Sequence, residues 1–250
     1  LIFLSIFMAL FMIGIGLNDE KDITVKGLEL VKSADIVYLE SYTSTLNVPI
    51  SNLEEFYGKK VILADREIVE NGVDKILEEA SSKNVAFLVI GDVFSATTHA
   101  GMLMDAKEKG VSVEIVHNTS ILNVVTETGL FLYQFGKITS IPFNYSDVKV
   151  PVDVFNDNYE KGYHTLFLFD LNPSEKKFLK VSEVSKYLIL KGISGDLICV
   201  GCARMGGVDQ EIKVSKLKDF VDFRFEKTPQ CLIIPGKMHF LEEEFLERFK

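Results

Sequence analysis

Cysteine is too scarce to hold this chain together. Cys199, Cys202 and Cys231 are three in 250 residues, which excludes a disulfide framework and suits a reducing compartment. Basic residues are outnumbered, 27 Lys and Arg against 36 Asp and Glu, and the net charge of −9 excludes an electrostatic nucleic-acid binder. With six prolines and 17 glycines there is no collagen-like or low-complexity segment. Neither a GxSxG nucleophile elbow nor a Walker loop occurs, and no internal repeat is visible. What is present, 47% hydrophobic and 25% charged residues, is the balance of a folded globule long enough for one large domain or two small ones.

One apolar run invites a membrane reading. Residues 1–17 carry no charged side chain, and a membrane-crossing helix needs roughly 20 apolar residues. No Lys or Arg precedes the run to orient it, and residues 10–17 read instead as a buried strand ending in a glycine turn. Residues 1–8 are accordingly taken as an extension, with 1–7 upstream of a start at Met8, and no membrane attachment is expected.

Beyond it, strands and helices alternate. Helical spacing over 24–33, with Asp22 and Thr24 as caps, is followed by short strands at 35–40 and 61–65 and by a loop with a short helix over 49–58. A helix is expected over 67–82, then a strand at 85–90 that is apolar on both faces and therefore central in a parallel sheet. A helix over 98–109 and a strand over 111–116 complete this half. In the second half, a helix over 120–135, an exposed loop over 147–162, a helix opened by Pro173 and reaching Lys191, and strands at 165–170, 197–201 and 231–234 are expected. The alternation indicates an α/β protein of two α/β lobes, 9–118 and 119–250, cut near Asn118, with a small-molecule cleft between them.

Three polar constellations sit at strand ends, where open α/β sheets bind ligands. Gly14-Ile-Gly16-Leu-Asn-Asp19, with Glu40 ending the next strand, looks like a dinucleotide fingerprint. Asp19 stands where the third glycine belongs, however, and a carboxylate there repels a pyrophosphate. Gly91-Asp92-Val-Phe-Ser95 offers close-approach backbone and a fixed acceptor, with Thr97 or Thr98 as a helix cap and His99 as a structural residue. His117-Asn118-Thr119-Ser120-Ile121 places an N-cap serine at the lobe junction. Cys199-Val-Gly-Cys202 has metal-ligand spacing but lacks the four ligands of a tetrahedral site. His239, after Pro235-Gly236, is placed to face the cleft.

Taken in order, these passages resemble the diphthine synthases, members of the tetrapyrrole-methylase-like class of S-adenosylmethionine-dependent methyltransferases. The resemblance covers nearly the whole chain. It is carried by Ile13-Gly-Ile-Gly-Leu-Asn-Asp-Glu-Lys-Asp-Ile-Thr24, Tyr38-Leu-Glu-Ser-Tyr-Thr-Ser44, Phe56-Tyr-Gly-Lys-Lys60 and Ala64-Asp-Arg-Glu67. It continues through Gly91-Asp92, Ala96-Thr-Thr-His99, His117-Asn118, Ser120-Ile121, His164-Thr-Leu166 and Cys199-Val-Gly-Cys-Ala-Arg204. The resemblance implies a cytoplasmic homodimer that binds S-adenosyl-L-methionine and methylates the modified histidine of translation elongation factor 2 in diphthamide biosynthesis. The acceptor is the amino group of a 3-carboxy-3-aminopropyl arm, and the product is diphthine or, where the carboxylate is also esterified, its methyl ester.

By the same resemblance the cofactor contacts are Leu17, Asp92, Ser95, Ser120, Ile121, Phe169, Val214 and His239, with no metal and no assigned catalytic residue. Val93 stands where the family has Pro, Ser95 where it has Gly or an aliphatic, and Phe169 where it has Leu. Methyl transfer from a sulfonium is an in-line displacement, so orientation supplies much of the acceleration and a dedicated base is not obligatory. Two alternatives are a tetrapyrrole methylase acting on a free macrocycle and a noncatalytic protein that binds a nucleoside-like metabolite.

Overall fold

The structure, a computed structural model, describes residues 8–70 and 72–250, so the 1–7 extension lies outside it. The chain divides into two compact units, one ending at Leu122 and one from Asn123 to Lys250. Among the described residues no helix is long and apolar enough to cross a membrane.

The first unit is a five-stranded parallel sheet. Its strands are β1 (Ala9–Gly14), β2 (Ile36–Glu40), β3 (Ile62–Ala64), β4 (Val85–Val89) and β5 (Ser112–Val116), in the order β3-β2-β4-β1-β5. β4 and β1 are buried at every residue, as continuous apolar runs at the centre of a two-faced sheet should be. The pleat sends Phe11, Ile13, Ala86 and Leu88 into the core on one face and Leu10, Met12, Phe87 and Val89 into the core on the other. Helix α1 (Val25–Ser33) starts where Thr24 Oγ1 accepts the Gly27 N–H at 3.0 Å, as its capping role requires. Helix α2 (Ile50–Tyr57) is the short helix expected within 49–58 and takes up most of that stretch. Because all five strands run the same way, the loops after β1, β4 and β5 emerge at one edge.

Two expectations in this unit are corrected. The single helix over 67–82 is two, α3 (Arg66–Glu70) and α4 (Val73–Ala80), because the Gly72 N–H closes the first on the carbonyls of Glu67 and Ile68. Neither threonine caps α5 (Ala100–Glu108): His99 holds the N-cap position without a side-chain cap bond, and Thr97 Oγ1 donates to the Val93 carbonyl at 2.7 Å.

The second unit opens with α6 (Ile121–Val124), which straddles the boundary. The continuous helix over 120–135 does not form. A 3-10 turn over Val125–Thr128 ends at Gly129, where an added Cβ would lie 2.3 Å from the Phe245 ring, and a second short turn covers Leu132–Gln134. The expected loop over 147–162 is in fact α7 (Val150–Glu160). Pro151, Val154, Phe155 and Asn158 form its buried face at helical spacing, and Asn158 is satisfied by Lys137 and Thr165. Pro173 opens no helix. It sits in the turn of a hairpin, β8 (Leu171–Asn172) with β9 (Lys177–Phe178), and α8 begins only at Val181 and runs to Leu190.

The main sheet of this unit is mixed. β6 (Thr139–Ile141) runs parallel to β7 (Thr165–Phe169), whereas β10 (Ile198–Ala203), β11 (Glu211–Lys216) and β12 (Gln230–Ile234) pair antiparallel, in the order β11-β10-β12-β7-β6. Cys199, Cys202 and Cys231 are buried in β10 and β12 as free thiols, and burial pushes Cys199 well above its ordinary range. Helix α9 (Phe240–Leu246) follows the last strand.

Candidate functional site

The loops after β1 and β4 are bonded to each other. The Gly16 N–H donates to the Gly91 carbonyl at 3.2 Å and the Gly91 N–H returns a bond to Gly16 at 2.7 Å. Both residues hold positive φ, 79° and 87°, which favours glycine. Side chains would also keep the loops apart, since a Cβ on Gly14 would lie 2.7 Å from the Gly91 oxygen and one on Gly16 2.4 Å from Asp22 Cβ. The first glycine pair therefore serves contact between loops. Only Gly91 leaves room above it: a Cβ there would meet nothing nearer than Leu17 Cδ2 at 3.6 Å, with Ser120 Cα and the Thr119 oxygen at 3.8 Å.

Asp92 ties the third loop in. Its Oδ1 accepts the Phe94 N–H at 3.1 Å and the Ser95 hydroxyl at 2.9 Å; its Oδ2 accepts His117 Nδ1 at 2.8 Å and the Asn118 N–H at 3.1 Å. Burial alone raises this carboxyl, but the donors Phe94, His117, Asn118 and Ser95 outweigh it and hold it below the usual range. Four donors fill both oxygens, so Asp92 offers a ligand its charge and its backbone rather than a vacant lone pair. Asn118 extends the network, its Nδ2 donating to the carbonyls of Gly14 and Asp22, each at 3.0 Å. Asp22 in turn accepts the N–H groups of Leu17 at 3.2 Å and Asn18 at 2.8 Å.

Leu17, Asp92, Ser95 and Ser120 are thus gathered around Gly91. Ser120 Oγ accepts the Leu122 N–H at 3.2 Å as an N-cap, and Ile121 follows as the first residue of α6. The network also accounts for Val93: with Asp92 gripping Phe94 and Ser95, the bend is stiff without a proline ring. Glu40 is fully buried, and its carboxylate is occupied by the Tyr42 and Thr43 N–H groups and the Thr43 hydroxyl. It presents nothing to a ribose. With Asp19, Asp22 and Asp92 in these loops, the edge disfavours a pyrophosphate and suits a positively charged ligand.

The other three predicted contacts lie in the second unit, on separate elements. Phe169 ends β7 and packs into the core with Phe167 and Val181; Val214 is buried in β11 opposite Val200. Two strands, β12 and β10, stand between β7 and β11 in the sheet. His239 is exposed and caps α9, its Nδ1 accepting the Leu241 N–H at 3.3 Å.

Sequence reasoning assigned no individual role to His117 or Asn118 and offered Asp22 only as a helix cap, whereas its carboxylate accepts from Leu17 and Asn18. It also missed a fully buried pair, in which His164 Nε2 meets Glu242 Oε1 at 3.0 Å. Glu242 Oε1 also accepts the Phe131 N–H and its Oε2 the His239 N–H, both at 2.7 Å, and the Gly236 N–H donates to His164 Nδ1 at 3.0 Å. One signal was available, the spacing His239-x-x-Glu242 of a capping box.

Comparison with known proteins places residues 9–221 in a match to the family described as Tetrapyrrole (Corrin/Porphyrin) Methylases. The chain is 37% identical to diphthine methyl ester synthase of Dictyostelium discoideum, over 97% of this chain and 98% of that protein. It is 38% identical to diphthine synthase of Methanococcus maripaludis, over 95% and 97% of the two. A solved structure of diphthine synthase aligns with a TM-score of 0.91 at 37% identity, covering 96% of this chain and 95% of that one.

Proposed function

Because this chain belongs to the tetrapyrrole (corrin/porphyrin) methylase family, and within it to the diphthine synthases, methyltransferases of diphthamide biosynthesis, we propose that it transfers the methyl of S-adenosyl-L-methionine to the modified histidine of translation elongation factor 2. The observation that carries the cofactor reading is the Gly91–Asp92 bend. A glycine at which a Cβ would make only ordinary contacts, at 3.6 Å and beyond, lies beside a buried carboxylate held ionised by four donors. A sulfonium is a cation, and fixed negative charge is what such a ligand needs. When bound, it supplies an electrophilic methyl on a neutral thioether leaving group.

Leu17, Asp92, Ser95, Ser120 and Ile121 are the proposed contacts of the first unit; Phe169, Val214 and His239 are those of the second. The role of the chain's residues is to bind and orient, and alignment of amine and methyl lowers the barrier by about 7–11 kcal/mol in well-organised systems. The enzyme is proposed to work in the cytoplasm as a homodimer. Calorimetry with S-adenosylmethionine tests binding, and mass spectrometry of elongation factor 2 bearing the aminocarboxypropyl-histidine, before and after incubation, tests transfer. Mass gains in steps of a methyl group support the reading and separate diphthine from its ester. Binding without any mass gain overturns it in favour of a noncatalytic metabolite binder.

A further inference from the structure

His117 is a site-loop side chain whose chemistry the orientation argument leaves unused. Its Nδ1 lies 2.8 Å from Asp92 Oδ2, yet 68% of its side chain is exposed while Asp92 is at 8%. In a neutral ring the tautomer whose Nδ1–H donates to Asp92 Oδ2 leaves the Nε2 lone pair free. Phe94 packs edge-on against the ring at 6.1 Å, and Asn118 follows it in the chain. Among the described residues, Asp92 is the titratable group in contact with it. A carboxylate that fixes the tautomer and steadies the imidazolium, with the far nitrogen open, is the arrangement of a general base.

We propose that His117 accepts, on Nε2, the proton that the acceptor ammonium must lose before each methylation. This rests on the reading above that the acceptor is an amine and the donor a sulfonium. The N–H bond of the ammonium breaks and its proton goes to Nε2. The electron pair left on nitrogen then forms the N–C bond as the S–C bond breaks, that pair staying on sulfur. The imidazolium releases its proton to water, and Nε2 is ready for the proton of the methylated ammonium. Methylation of a carboxylate requires no proton removal, so ester formation does not call on His117.

The magnitude follows from the acceptor. An α-amino group titrates near 7.7–8.0, so roughly one in ten is neutral at pH 7 and nearly all are at pH 9. His117→Gln keeps a donor for Asp92 but no base. It should bind S-adenosylmethionine by calorimetry within about twofold of the unaltered protein and show a first N-methylation about tenfold slower at pH 7. That deficit should vanish by pH 9, and mono- and dimethylated products should accumulate at pH 7. Added imidazole should restore the pH 7 rate of His117→Ala. A deficit of equal size at both pH values, or none at pH 7, overturns the proposal. Failure of the unaltered protein to bind S-adenosylmethionine sinks the cofactor reading itself, and this inference with it, a result distinct from normal binding without base dependence.

Discussion

Each unit contains a histidine joined to a carboxylate, Asp92–His117 at 2.8 Å in the first and Glu242–His164 at 3.0 Å in the second. In the second pair both side chains are fully buried and both imidazole nitrogens are used, one by Glu242 and one by the Gly236 N–H. No ring nitrogen is left over, and the pair fastens the Phe131 segment, the start of β7 and the cap of α9 to one another. In the first pair only the carboxylate is saturated, and the imidazole faces solvent. The same two functional groups thus become a structural clamp or a reactive site according to which atoms remain unsatisfied.

Breaking the clamp should have the largest effect. Glu242→Ala leaves buried His164 and the Phe131 and His239 N–H groups without their acceptor, and denaturant unfolding should show a loss of about 3–5 kcal/mol. Its pH dependence has a definite sign. The Phe131 and His239 N–H groups and His164 outweigh burial and hold Glu242 below its ordinary 4.5, so the folded chain takes up that proton less readily than the unfolded one. The stability it contributes is intact above the ordinary range and is lost as pH falls through the lower folded value. Glu242→Ala should therefore flatten the acid limb of the stability curve.

The next tests address the first unit. Gly16→Ala adds a Cβ 2.4 Å from Asp22 Cβ at a positive φ, with an expected cost of about 1–3 kcal/mol in unfolding experiments and weaker S-adenosylmethionine binding as the loops part. Asp92→Asn removes a charge and half the acceptor capacity, for about 1–3 kcal/mol in stability and about a tenfold loss of affinity by calorimetry. Unchanged affinity and turnover in Asp92→Asn would refute the role given to this carboxylate. Ser95→Ala removes one donor of four and should cost about 1 kcal/mol, read most directly as a small shift in the unfolding midpoint. If Ser95→Ala weakened binding more than Asp92→Asn, the charge would not be the dominant contribution.

Much of the first unit was legible because its strands are apolar runs and its central strand is apolar on both faces, patterns that one-dimensional periodicity captures. The Gly–Asp loops were legible for the same reason, as they punctuate those runs. The second unit was less so. Pro173 suits the first turn of a helix and a hairpin turn equally, and the buried face of α7 includes a proline and an asparagine, which read as loop residues. The helix over 120–135 gives way after Val124 to a 3-10 turn that ends at Gly129 with φ 88°, where a Cβ would meet the ring of Phe245, 116 positions on. The site's connections were hidden by distance along the chain. Asp92 and His117 are 25 residues apart, Asn118 and Gly14 are 104, and His164 and Glu242 are 78; no local spacing encodes such pairs.

Asn118 has a mechanical consequence. One amide group is riveted to the carbonyls of Gly14 and Asp22 while its own N–H is anchored on Asp92, so a pull on any of the three loops loads the other two. A ligand seated against any one of them therefore bears on all three through a single side chain.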